Sequence, residues 1–183
     1  MRNPDPPTPT PTAVDGWLRE LGLDVVERAD REGVASWDLL VDGRRRRDVR
    51  LTLILDPAVA LIAWVHFAPP LSDSFRKSYH QFLRWNDELP FVKFALSADE
   101  RPVLSSEVPA VEVNLDSVGL TVARLVMVCD LLLDDSVRWL WPGAKAPPVA
   151  AAPTTGHAAV LDRYADQLAE LTVPAAEDEA GPD

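Results

Sequence analysis

The 183-residue chain has 29 acidic against 18 basic side chains, a net charge of −11, and an apolar share of 47% that includes six tryptophans. That size and apolar content fit one domain with tails, large enough to bury a core without covalent staples. So acidic a chain is a poor match for a phosphate backbone unless a basic face is segregated, and no nucleic-acid partner is expected.

Residues 1–12, MRNPDPPTPTPT, hold five prolines among polar residues and predict an extended, disordered leader without the apolar stretch of a secretory signal. A helix is predicted from Ala13, capped by Thr12, with Val14, Trp17, Leu18 and Leu21 on one face and Gly22 at its end. The period then drops to two. Residues 34–41 predict a strand, Asp42-Gly43 a hairpin turn and residues 49–55 the return strand. On that return strand Val49, Leu51, Leu53 and Leu55 point one way, and Arg50, Thr52 and Ile54 the other. Residues 58–67 predict a third strand, apolar on both faces and therefore central or doubly covered. The apolar run 49–67 is broken by Arg50 and by Asp56-Pro57, whereas a membrane span needs ~20 nearly uncharged residues, so no membrane partner is expected.

Ala68-Pro69-Pro70 ends the first sheet segment, and Ser72 is placed to cap a helix from Asp73 to about Leu89, with Phe75, Tyr79, Phe82, Leu83 and Asn86 along one side. Pro90 stops it. Residues 91–96 and 102–107 predict two further strands joined at Asp99-Glu100. Asp116 or Ser117 is the expected cap of a long apolar helix, 118 to about 134, buried on more than one side. It contains the single cysteine, Cys129, which excludes an intrachain disulfide and fits a reducing, cytoplasmic compartment. The chain is thus divided into a leader (1–12), an α+β domain (13–141), a Pro/Ala-rich linker (142–156), a C-terminal amphipathic helix (157–172) and an acidic disordered tail (173–183). The stripe of the last helix is Val160, Leu161, Tyr164, Leu168 and Leu171, and from His157 onward seven acids face one base, Arg163.

The order α-β-β-β-α-β-β-α, the segments Leu83-Arg84-Trp85-Asn86 and Leu89-Pro90-Phe91-Val92-Lys93-Phe94, and the apolar helix after Asn114-Leu115-Asp116 together resemble the YbjN family over roughly residues 13–141. The resemblance implies an antiparallel sheet with helices packed on it, similar in fold to type III secretion chaperones, and a regulatory or chaperone-like role. It brings no catalytic residues with it. The leader and the C-terminal helix fall outside it.

Residues able to do chemistry are sparse. His66, His80 and His157 lack metal-ligand spacing, and Cys129 has no CxxC partner, so neither metal nor cofactor is expected. Ser105 and Ser106 lack a glycine elbow, the eight glycines form no phosphate loop, and Asp87-Glu88, Asp99-Glu100 and Asp134-Asp135 fall at element ends. Cys129, inside an apolar helix, reads as a buried and inert thiol. Arg44, Arg45, Arg46 and Arg47 read as the tip of a hairpin kept soluble by charge, as a contact for an anion or acidic peptide, or as a match for the chain's own acidic end. Ile54, Ile62 and Trp64 read as an apolar patch on the sheet face away from the helices. That face must be solvated, covered by the C-terminal segment or paired with a second subunit. The reading these residues support is a non-enzymatic protein-binding module, using the patch and the arginines to hold an unidentified protein or a second copy of the chain. The alternatives are an accessory protein autoinhibited by its own C-terminal helix, and an enzyme in which His66 or His80 converges with carboxylates.

Overall fold

The computed structural model describes residues 8–70, 76–133, 136 and 158–172. Helix α1 (Pro11–Glu20) begins at a Thr-Pro pair: Thr10 Oγ1 accepts from the Ala13 N–H at 3.2 Å, and Pro11 takes the first helical position, where its missing N–H costs nothing. The cap is therefore Thr10 and not Thr12. Gly22 ends the helix in the left-handed region, at φ 67°, as expected.

Four strands follow where three were expected: β1 (Val25–Arg31), β2 (Val34–Val41), β3 (Val49–Asp56) and β4 (Ala60–His66). The added strand, VVERADR, is exposed along almost its whole length, so its sequence lacks the alternation that marks a half-buried strand. It is joined to β2 through Glu32 and Gly33, both at positive φ, a turn whose twist suits a tight hairpin. After α2 (Arg76–Glu88), the strands β5 (Lys93–Leu96) and β6 (Pro102–Pro109) complete a six-stranded antiparallel sheet in the order β1-β2-β3-β4-β6-β5. The strand read as apolar on both faces, β4, lies between β3 and β6, a central position.

Register places the long aliphatics on one face. Trp37 and Leu39 of β2, Leu51, Leu53 and Leu55 of β3, and Leu61, Ala63 and Val65 of β4 are sealed from solvent, while the residues between them are half-buried or exposed. α1, α2 and α3 (Leu115–Leu131) cover this face. The cap of α3 is Asn114, two to three residues earlier than expected: its Oδ1 accepts from the Asp116 and Ser117 N–H groups, and the Ser117 hydroxyl returns a bond to the Asn114 backbone. α3 is buried on both sides, because α4 (Ala158–Arg163) and α5 (Ala165–Leu168) lie against its far side. The single C-terminal helix expected is split at Tyr164, yet Val160, Leu161, Tyr164, Leu168 and Leu171 are all buried, the same stripe as predicted. The Ser72 cap, residues 1–7 of the leader, the linker at 142–156 and the tail at 173–183 lie outside the described residues.

The Trp85-Asn86 pair has two separate jobs. Trp85 packs in an aromatic cluster with Phe67, Phe82 and Phe94, ring centroids 5.3–6.3 Å from its own. Asn86 pairs with the backbone of Phe94 as another strand would: its Oδ1 accepts from the Phe94 N–H at 2.6 Å and its Nδ2 donates to the Phe94 carbonyl at 3.2 Å. The outer edge of β5 is thereby satisfied by a side chain. Replacing Asn86 by Ala removes both bonds, at about 2 kcal/mol. A thermal melt should show the midpoint falling by roughly 4–8 °C.

Candidate interaction surfaces

The sheet face away from the helices carries the predicted apolar patch. Ile54 of β3 is directly opposite Ile62 of β4, and Thr52 opposite Trp64, so Ile54, Ile62 and Trp64 form one contiguous group at the sheet centre. Ile62 is 37% exposed; Ile54 and Trp64 are half-buried. Polar pairs frame the group: Thr52 donates to Asp38 at 2.6 Å, and Lys93 bonds Glu107 at 3.1 Å. His66 stacks beside Trp64, with centroids 5.5 Å apart. Among the described residues no helix lies on this face.

The two sheet tryptophans differ in how their indole N–H is held. Trp37, on the covered face, donates to Asp15 of α1 at 2.6 Å, and the Arg28 guanidinium sits 5.7 Å from its ring centre. Trp64 Nε1 is shielded from water and has no hydrogen-bond partner among the described residues. An unmet indole donor is uncommon, since the N–H of a buried tryptophan usually finds an acceptor.

The four arginines do not form a free basic tip. Residues 42–48 make a loop between β2 and β3 whose backbone closes around a carboxylate from α3. The amides of Arg44, Arg45 and Arg46 all donate to Asp130, at 2.6, 3.1 and 2.7 Å. Successive N–H groups converging on one anion form a nest. Gly43 is required beside it: a Cβ there would stand 2.7 Å from the Asp130 carboxyl carbon. The side chains then diverge. Arg46 is 8% exposed and lies over the Phe67 ring at 5.4 Å, Arg47 pairs with Asp42 at 3.6 Å, and Arg44 bonds Asp162 of α4 at 2.9 Å. Hence Asp42-Gly43 does not form a two-residue hairpin turn, and the charges do not simply guard an exposed edge. The contact Arg44 makes is with the chain's own acidic end. Because Arg46 reaches the helix-covered face, the arginine loop and the Ile54–Ile62–Trp64 group do not make one surface.

The remaining reactive side chains stand apart. His66 is on the uncovered sheet face, His80 is exposed on α2 against the other face, and His157 lies outside the described residues. Ser106 Oγ donates to the Phe91 carbonyl at 2.9 Å and Ser105 Oγ to the Lys93 carbonyl at 3.4 Å, both backbone acceptors. Among the described residues no group of His, Cys, Asp and Glu is arranged to hold a metal ion, and no helix is long and apolar enough to cross a membrane. Cys129 is buried in α3, and desolvation pushes its thiol up to about 11, opposed by the charge of Arg46 and reinforced by that of Asp130.

A one-faced antiparallel sheet under a helical layer, with its polar groups engaged in joining elements, defines an α+β protein whose free features are surfaces. The chain belongs to the YbjN family: the family's model, described as "Putative bacterial sensory transduction regulator", matches residues 10–136, about two thirds of its length. The match ends ahead of α4 and α5. No curated protein matches the chain.

Asp130 was visible in the sequence only as one position in a helical stripe, and its partners are backbone amides that no residue type announces. Removing it with Asp130→Ala leaves three amides unmet and should cost about 3 kcal/mol, with Asp130→Asn costing roughly half of that because one acceptor oxygen remains. Denaturant titration reads the loss, and amide exchange at residues 44–46 should accelerate with it. Cys129 gives a separate pH signature. Its folded pKa lies above the value of 9.0 expected for the free thiol, so the stability tied to the neutral form is intact below pH 9 and is lost as pH rises toward about 11. The wild type should therefore lose roughly 2–3 kcal/mol across that window relative to Cys129→Ala, measured by denaturant titrations at paired pH values.

Proposed function

We propose that this chain is a non-catalytic regulatory module that acts by binding protein through the uncovered face of its sheet. The observation carrying the reading is the contiguous Ile54–Ile62–Trp64 group on that face, with Trp64 holding an indole N–H that no described residue satisfies. Tryptophan at the centre of a polar-rimmed patch is the composition typical of an energetic hot spot. An incoming segment would bury the isoleucines at roughly 25 cal/mol per Å² of apolar area, less its own ordering cost, and could offer a carbonyl to a reoriented indole. Membership of a family described as regulators agrees with this at the coarser level. The buried, protonated thiol of Cys129 is consistent with a structural role.

Introducing Ile62→Asp puts a charge at the centre of the patch while disturbing no core residue. Because the new carboxylate stands opposite Glu107, the variant's thermal midpoint should fall by roughly 2–4 °C, with the chain still folded. Multi-angle light scattering across a hundredfold concentration range should show self-association, or affinity capture from a bacterial lysate a specific protein, in each case lost in Ile62→Asp. A wild type that stays monomeric and captures nothing sensitive to Ile62 rejects the proposal.

A further inference from the structure

The far side of α3 has the form of a helix-docking groove, and the segment seated in it buries its apolar stripe but leaves the groove open beside Ala165 and Ala169. Gly119 makes a notch: a Cβ there would lie 2.6 Å from Cε2 of Tyr164, so only glycine admits the ring. Tyr164 Oη donates to Asp116 at 3.1 Å, Arg163 pairs with Asp116 at 3.6 Å, and Arg44 pairs with Asp162 at 2.9 Å across the rim. Yet the occupant is broken into pieces of six and four residues followed by a 3₁₀ turn. Its small side chains Ala165 and Ala169 leave a cleft of about 210 Å³ open against Arg44, Met127, Leu161 and Leu168. The cleft opens to solvent and Ala165 and Ala169 are exposed at its edge, so bulkier side chains at those two positions would make contacts with its lining that alanine does not. The occupant also comes from outside the part of the chain matched by the family, which ends at residue 136.

We propose that the α3 groove is a recognition site for an amphipathic helix of a partner protein, and that the C-terminal segment is an internal stand-in which that helix displaces. The partner helix carries bulky apolar side chains where this chain has Ala165 and Ala169, an aromatic ring for the Gly119 notch and an acid facing Arg44. Tethering lets a weak internal ligand compete at an effective concentration of millimolar order, so an imperfect fit still keeps the groove closed until a better one arrives. The groove lies beyond the helical layer from Ile62, and the two surfaces are independent.

The test uses the full chain and a fluorescein-labelled peptide with the sequence of residues 157–172 carrying Ala165→Leu and Ala169→Leu. Anisotropy titrations compare wild type with Leu161→Asp, which expels the internal segment, and with the milder Tyr164→Ala. The peptide should bind both variants about tenfold or more tightly than wild type, and the unsubstituted peptide should bind them about tenfold more weakly. Adding Gly119→Trp to Tyr164→Ala should abolish binding, while Ile62→Asp should leave it unchanged. Equal binding to wild type and variants overturns the proposal, as does no binding to a folded Tyr164→Ala chain. If Leu161→Asp fails to fold, Tyr164→Ala decides alone; if both fail, the segment is an integral part of the fold and the proposal is wrong.

Discussion

The buried carboxylate of Asp130 sets the arrangement of much of this molecule. A charge that is only 4% exposed must be compensated, and three backbone amides of the β2–β3 loop supply the compensation. Fixing that loop against α3 aims its side chains. Arg46 goes inward over Phe67, whose ring meets Trp85 of α2 and Phe94 of β5. Arg44 goes outward to Asp162 of α4. One carboxylate thus ties the sheet to α3, orients the arginine covering the aromatic cluster, and positions the cation that meets the C-terminal helices. Its energetic weight is in the amides; the exposed Arg44–Asp162 pair adds little by itself.

The parts of this design that were legible are those written in periodicity. The alternation of β3 separates the two faces of the sheet, the apolar run of β4 marks a central strand, and the stripe from Val160 to Leu171 identifies the residues that α4 and α5 bury. Legibility failed where burial does not decide the structure. β1 is an edge strand with almost nothing buried, so its sequence is that of a polar connector, and only the Glu32-Gly33 turn marks it. The break at Tyr164 is equally silent, since the stripe is the same for one helix or two. Both helix caps were misplaced by two or three residues because Thr10 and Asn114 compete with nearby residues of the same chemistry. The nest in the arginine loop is silent for a different reason. Four guanidinium groups dominate its sequence, while the structure uses its amides, which every residue possesses.

Contrast between the two sheet tryptophans separates structural from available surface. Trp37 is sealed, bonded through Asp15 to α1 and stacked under Arg28, so its polar atom and its ring face are both committed. Among the described residues Trp64 has neither commitment to a helix nor an acceptor for its N–H. The two residues occupy the strands on either side of β3, and sequence alone renders them equivalent; the difference is made by Asp15, twenty-two positions before Trp37. The shared face of Ile54, Ile62 and Trp64 is therefore readable, whereas the absence of a helix over it among the described residues is a property of the assembled layers.

Many of the described charged groups act as joints between elements: Asp15 to Arg28, Arg44 to Asp162, Lys93 to Glu107, Arg163 to Asp116. Side chains so used are poor candidates for acid–base work, which needs groups held apart from neutralising partners in a cleft. What the joints leave free are shapes: a flat, mixed sheet face with a tryptophan at its centre, and a groove on α3 that the C-terminal segment fills in part. Flat faces of this kind gain affinity by matching a few anchors and excluding water around them, whereas a groove selects by volume, since each missing methylene leaves space unfilled. A regulator built on this frame would take its selectivity from the second and its contact area from the first. That division follows from the single-faced sheet, because helices that seal one side of a core leave the other side of the sheet, and the outer side of their own layer, as the places where contact is still to be made.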